Sequence, residues 1–195
     1  MAHIGLKHPV AAKRAEDNSY TAGFVIAKAI SFTGTPDKND VELYADDELA
    51  ETDKSMKRYT VSLNVDDLSL KVQADLLGHT YTEAKAAESG GEATPESMEV
   101  GADDVAPFFG VGFYRRRRKN NVTTFTATWL YNVQFGEPTE NAETKGETTN
   151  FQTPTIEGEA YPASVDGRMT VGRRLVFNTE AEAKAWLDKM AKIEG

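Results

Sequence analysis

The chain has 195 residues, 39% of them hydrophobic, a formal net charge of −9 and no cysteine. Zero cysteine excludes a disulfide framework and a thiolate metal site, and the acidic balance argues against binding nucleic acid by bulk attraction. The apolar share affords an ordinary core, the length fits a single domain over 1–195, and the missing cysteines suit assembly in a reducing cytoplasm.

Residues 1–20 mix charge and apolar side chains without a period and are expected to form an N-terminal arm outside the core. The most apolar early stretch, 23–32, is interrupted by Lys28 and preceded by Glu16 and Asp17, so it is neither a secretory h-region nor a membrane span. Residues 24–32 read as a strand, as do 41–45. Over 59–65 the odd positions Tyr59, Val61, Leu63 and Val65 are apolar and the even ones polar, the signature of a half-buried strand. A helix is expected to start near Asp66-Asp67, where a carboxylate can cap free N–H groups; Leu68, Val72 and Leu76 recur every four residues and Gly78 can close it. A short strand is expected over 80–84. Residues 86–104, rich in Glu, Ala and Gly, read as a mobile acidic loop.

The strongest signal lies in the next segment. Residues 124–135 alternate almost without a break, with Phe125, Ala127, Trp129, Tyr131, Val133 and Phe135 expected on one face. At about 3.3 Å per residue that strand reaches roughly 40 Å. Residues 108–118 are its hairpin partner, joined through Lys119-Asn120-Asn121, since Asn tolerates the positive φ of a tight turn. Further strands are expected over 148–156 and 171–177. A C-terminal helix over 179–193 opens on Thr179 and Glu182, at capping-box spacing, and shows an apolar stripe of Ala183, Trp186, Leu187 and Met190. The sum is an α+β chain, mostly β: an antiparallel β-sandwich or partial barrel flanked by helices, with a long hairpin and mobile arms.

Little in the sequence carries chemistry. Tyr44-Ala45-Asp46-Asp47 matches the Tyr-x-Asp-Asp string of reverse-transcriptase-like polymerases, but that chemistry needs a third distant carboxylate and a larger palm, so a strand running into an acidic turn is the better reading. His3, His8 and His79 have no metal-ligand spacing. No metalloprotease, nucleophile-elbow or phosphate-loop motif occurs, and Gly110 and Gly112 suit close backbone approach within a strand. No enzyme activity, catalytic residue, cofactor or metal is expected. The sharpest local feature is Arg115-Arg116-Arg117-Arg118. It fits either phosphate contact or a strand end whose arginines meet carboxylates of a neighbouring subunit; the acidic remainder favours the second.

A set of strings in order along nearly the whole chain resembles the major tail protein family of long-tailed phages of Gram-positive bacteria. They are Met1-Ala2-His3-Ile4-Gly5-Leu6-Lys7, Gly23-Phe24-Val25-Ile26-Ala27-Lys28-Ala29, Val41-Glu42-Leu43-Tyr44-Ala45-Asp46-Asp47, Asp66-Asp67-Leu68, Leu76-Leu77-Gly78, Gly110-Val111-Gly112-Phe113-Tyr114, Thr144-Lys145-Gly146-Glu147, Phe151-Gln152-Thr153-Pro154-Thr155-Ile156-Glu157-Gly158 and Phe177-Asn178-Thr179-Glu180-Ala181-Glu182-Ala183. The resemblance implies a tail-tube fold and a structural virion protein that forms homo-hexameric rings stacked into a hollow tube. It implies tape measure, tail terminator and tail-tip proteins as partners, assembly in the host cytoplasm, and phage DNA passing through a lumen that does not hold it. Arg115, Arg116, Arg117 and Arg118 are the candidate inter-subunit contacts. A small nucleic-acid-binding module using the arginine run, or another virion component such as a head decoration protein, are the alternatives.

Overall fold

The structure, a computed structural model, describes residues 3–86, 92–139 and 153–193. Its first element corrects the expectation of an arm over 1–20. Strand β1 (His3–Arg14) lies inside the main sheet, with Val10, Ala11 and Ala12 fully buried. Its alternation is hidden in the sequence because two irregularities interrupt it. Against the strand over Phe108–Lys119, the register slips between Ile4 and Leu6 and again between Lys7 and Val10. Each bulge changes the parity of the residues after it.

Strand β2 (Tyr20–Val25) turns back antiparallel on β1. The single strand expected over 24–32 is split there. Ile26 donates its N–H to the Pro9 carbonyl and Lys28 donates to the Asp66 carboxylate, which carries the chain from one end of the sheet to the other. Strand β3 (Ala29–Lys38) begins that other end; its Pro36 is tolerated because β3 is an edge. Strands β4 (Val41–Ala45) and β5 (Glu48–Asp53) form a separate hairpin around Asp46 and Asp47, whose φ values of 51° and 64° mark a primed two-residue turn. Strand β6 (Met56–Val65) returns along β3.

Helix α1 (Leu70–Leu77) starts later than expected. Ser69 caps it by accepting from the Val72 N–H, while Asp66 is engaged by the Lys28 and Asp67 amides. Gly78, at φ 81°, closes it in the left-handed conformation that glycine adopts without steric cost. The acidic loop expected over 86–104 is corrected in part: β7 (Thr80–Thr82) pairs with β8 (Ser97–Glu99), and Lys85 bridges Thr94. Residues 87–91 lie outside the described residues.

Strands β9 (Phe108–Lys119) and β10 (Val122–Phe135) form the long hairpin, turning at Asn120 and Asn121 with φ 47° and 61°. Of the strand expected over 148–156, residues 148–152 lie outside the described residues; the strand there is β11 (Thr155–Ala160). The short hairpin β12 (Ala163–Val165) and β13 (Arg168–Thr170) leads to β14 (Gly172–Phe177) and α2 (Glu180–Ala191). In α2 the capping box forms as spelled: the Thr179 hydroxyl accepts from the Glu182 N–H, and Glu182 accepts from the Thr179 N–H.

The main sheet runs β2-β1-β9-β10-β11-β6-β3, all antiparallel, with β14 alongside the first half of β10 and β11 alongside its end. The two ends of this order meet. Phe32 of β3 and Phe113 of β9 stack with ring centres 4.3 Å apart, and one core cluster joins Ala11, Val111, Leu130, Ile156, Leu63 and Leu76. The sheet is therefore curled over its own face, a half-barrel closed at one end by α1. The opposite face of β1, β9 and β10 holds a second core against α2, through Val10, Ala127, Trp129, Tyr131, Ala183, Leu187 and Ala191. Having a core on each face explains why the nominally polar Thr126, Thr128 and Asn132 are buried.

The expectation that Phe125, Ala127, Trp129, Tyr131, Val133 and Phe135 share one face of β10, with Leu130 as the exception, is corrected. Leu130 pairs with Val111 but Val133 pairs with Phe109, so β10 spends three residues where β9 spends two. Past that bulge Val133 and Phe135 point into the half-barrel, while Ala127, Trp129 and Tyr131 face α2. Trp129 is fully buried over the backbone of β9: a Cβ on Gly110 would sit 2.2 Å from its ring, and one on Gly112 2.5 Å from it and 2.7 Å from Leu187. The two glycines are the floor on which the indole lies. Trp186 is half-buried with its ring centre 6.0 Å from that of Phe177.

Candidate functional site

The four arginines occupy the end of β9, where the pleat divides them. Arg115 and Arg117 are half-buried on the half-barrel side, the face of Phe113; Arg116 and Arg118 are exposed on the other. The Arg115 guanidinium carbon lies 5.9 Å from the centre of the Phe113 ring. Burial, and then the nearby charge of Arg174, push the Arg115 pKa below the usual arginine value. Arg116 borders a groove of about 470 Å³ with Lys7, Tyr114, Phe125 and Glu180. There Glu180 accepts from the Tyr114 hydroxyl at 2.6 Å and from Lys7 at 2.9 Å, which holds the Glu180 pKa low. Burial and Glu180 push the Tyr114 phenol up. Arg118 donates to the Asn121 side chain at 3.2 Å within its own turn. One continuous strand therefore does not aim all four arginines at a single surface.

Pairing of β14 with β10 builds a basic site that the sequence order conceals. Arg174 pairs with Thr128, and Thr128 pairs with Phe113; two residues along β10, Thr126 pairs with Arg115. Cross-strand partners share a face, so Arg174 and Arg115 sit diagonally across β10 on the half-barrel side. Between them and the facing strand β6 opens a groove of about 630 Å³, bordered by Met56, Tyr59, Thr128, Leu130, Arg168 and Arg174. Thr128 Oγ1 in its wall and the Nε of neighbouring Arg115 are buried without a hydrogen-bond partner among the described residues. Arg168 and Arg174 are not legible as site residues in the sequence. There they are isolated from the arginine run; the β10–β14 register brings Arg174 beside Arg115, and the β12–β13 hairpin brings Arg168 to the same groove.

The β4–β5 hairpin is the second distinctive surface. Every residue from 41 to 53 is exposed, including Val41, Leu43, Tyr44 and Leu49 at 53–62% exposure. It carries Glu42, Asp46, Asp47, Glu48, Glu51 and Asp53 and no Lys or Arg. Asp46 and Asp47 of the polymerase-like string form its turn, and the Tyr44 hydroxyl donates to Glu42. Among the described residues no group of three His, Asp or Glu side chains is placed to hold a metal ion.

Two histidines make structural contacts with carboxylates. His8, set at φ 57° by the second bulge of β1, meets Asp188 of α2 at 2.6 Å. His79 follows α1 with its side chain only 2% exposed; Nδ1 is 2.8 Å from Asp104, and Nε2 is 3.0 Å from Glu137 but poorly aimed for a hydrogen bond. The Asp104 pKa is held down by His79 and by the Gly101 amide. Of His3, only its place in β1 is described. No helix among the described residues is long and apolar enough to cross a membrane. No protein-family model matches the chain, and no curated protein matches it either.

Proposed function

We propose that this chain is a self-assembling structural subunit, the major tail protein of a long-tailed phage, whose copies form rings that stack into a tube around a DNA passage. The observation that carries this reading is the β4–β5 hairpin. A folded hairpin that leaves Val41, Leu43, Tyr44 and Leu49 in solvent gains little burial within its own subunit, and a two-stranded hairpin alone is marginal in water. Docking on another copy supplies the missing burial. Sheet edges at β2, β3 and β14 offer further places for copies to meet. The ordered sequence resemblance and the half-barrel with a helix packed on its outer face point the same way. An acidic subunit also suits a passage that must release a polyanion carrying one charge per about 1.7 Å.

The reading as a nucleic-acid module rests on the arginine run, and the pleat weakens it by sending alternate arginines to opposite faces. Negative-stain imaging and sedimentation of purified protein across salt and concentration test the proposal. Rings or tubes at high concentration are expected. A monodisperse monomer under every condition, together with tight and salt-steep DNA binding, refutes it.

A further inference from the structure

We infer that the groove between β6 and β14 is a socket for carboxylates, filled by the acidic β4–β5 hairpin of a second copy. The inference rests on the self-assembly reading above and names the two surfaces that meet. The socket has the chemistry of an anion site. Arg174 and Arg168 stand at its border, Arg115 lies beside Arg174, and Arg115 Nε and Thr128 Oγ1 are buried donors without a partner among the described residues. Cationic groups crowded together without a counter-charge repel one another, and an unmade buried hydrogen bond costs more than an exposed one. An incoming carboxylate supplies the missing counter-charge, because a guanidinium fork at the border pairs with it bidentately.

The same structure holds a matching knob. The hairpin is the most one-sided acidic element described, with six carboxylates and no base over 41–53. Its apolar side chains also suit the socket's mixed lining, where Met56, Tyr59 and Leu130 lie between the arginines. The hairpin does not fill the socket of its own subunit, since every one of its residues is exposed. Up to about 30 Å of extended chain separates its turn from Met56 at the socket's rim. A knob that departs from the rim of its own socket and stays unburied joins copies head to tail, the heterologous contact that propagates instead of closing on itself.

Charge reversal with compensation tests this. Arg174→Glu, at an exposed position, is expected to raise the concentration needed for assembly by about tenfold while leaving the monomer's melting curve unchanged. Asp46→Arg with Asp47→Arg should do the same, and combining the two sets should restore assembly to near the wild-type threshold. Because the chain has no native cysteine, Asp47→Cys with a cysteine at the exposed Met169, which also lines the groove (Met169→Cys), gives a second readout: oxidation of assembled protein should yield a ladder of covalent oligomers, and each single variant at most a dimer. Tubes that form at the wild-type concentration in Arg174→Glu, or a loss that compensation leaves unrepaired together with no ladder, overturn the socket and leave self-assembly standing. Wild-type protein that never assembles overturns both. If Arg174→Glu abolishes DNA binding by the free subunit and leaves tube formation intact, the groove is a phosphate site and this inference falls.

Discussion

Truncating Trp129 to Ala tests the packing of the sheet against α2. The indole is 0% exposed, lies over Gly110 and Gly112, meets Tyr20 edge-on at 5.2 Å and shares a contact site with Leu187. Burying roughly 200 Å² of aromatic surface at about 25 cal/mol per Å² is worth about 5 kcal/mol, and the Ala side chain recovers only part of that. The glycines beneath cannot expand into the space, so a cavity remains and the cost is set at about 3–5 kcal/mol. For a chain of this size that lowers the melting temperature by roughly 6–20 °C. Calorimetry or near-ultraviolet dichroism on dilute, unassembled subunits measures it without contribution from neighbours. Gly112→Ala supplies the coupled half of the test. In the native background its new Cβ meets both the indole and Leu187 and should cost about 1–3 kcal/mol; with Trp129 already truncated, Leu187 can give way into the vacated space and the cost should fall. Additive losses in the double variant, or a Trp129→Ala loss under about 1 kcal/mol, refute the packing argument. Trp129→Phe, which keeps most of the buried ring, should cost clearly less than Trp129→Ala.

The remaining predictions use other parts of the structure. Thr179→Ala removes half of the capping box of α2 and should cost about 1 kcal/mol by urea unfolding, with little added loss from Glu182→Ala in that background. Asp104 and Glu180 both have folded pKa values below their ordinary ones, so the unfolded chain binds more protons near those values. Their contribution is complete above the ordinary carboxylate range and is lost as pH falls through the depressed folded values; Asp104→Asn should flatten the acid limb of a plot of urea midpoint against pH, and an unchanged limb counts against the His79–Asp104 pair. Asn120→Val places a β-branched residue at φ 47° and should destabilise the β9–β10 turn by about 1–2 kcal/mol in a melting assay. Amides of 41–53 should exchange quickly in the free subunit and slowly in assembled protein; equal exchange in both states removes the hairpin from the contact.

Much of the architecture is legible in the sequence because it is local. The β9–β10 hairpin, the Asn turn and the α2 capping box come from alternation and from residue types at fixed offsets. The features that escape are set by distant pairings. β1 reads as an arm because its bulges near Gly5 and His8 break the period that would expose it as a buried strand. Ser69 rather than Asp66 caps α1 because Asp66 is engaged by the Lys28 amide, 38 residues away. The acidic composition of 92–104 conceals a strand that exists only by pairing with β7. The arginine run is conspicuous, and its division between two faces comes from the pleat. The neighbour that sets a second charge beside Arg115, Arg174, requires the register of β14 against β10.

The extra residue in β10 between Leu130 and Val133 makes this strand act as a phase shifter. Upstream of it, residues answer to the helix; downstream, to the interior of the curled sheet. A change in the strand's length therefore acts differently from a substitution, which leaves the phase of every other residue in place. Removing one residue at 131 or 132 would keep the composition nearly intact and still rotate Val133 and Phe135 out toward α2 while turning Gln134 inward. A deletion scan along β10 should show a sharp polarity: one lost residue near the hairpin tip shortens a turn, and one lost residue at the bulge exchanges the contents of two cores.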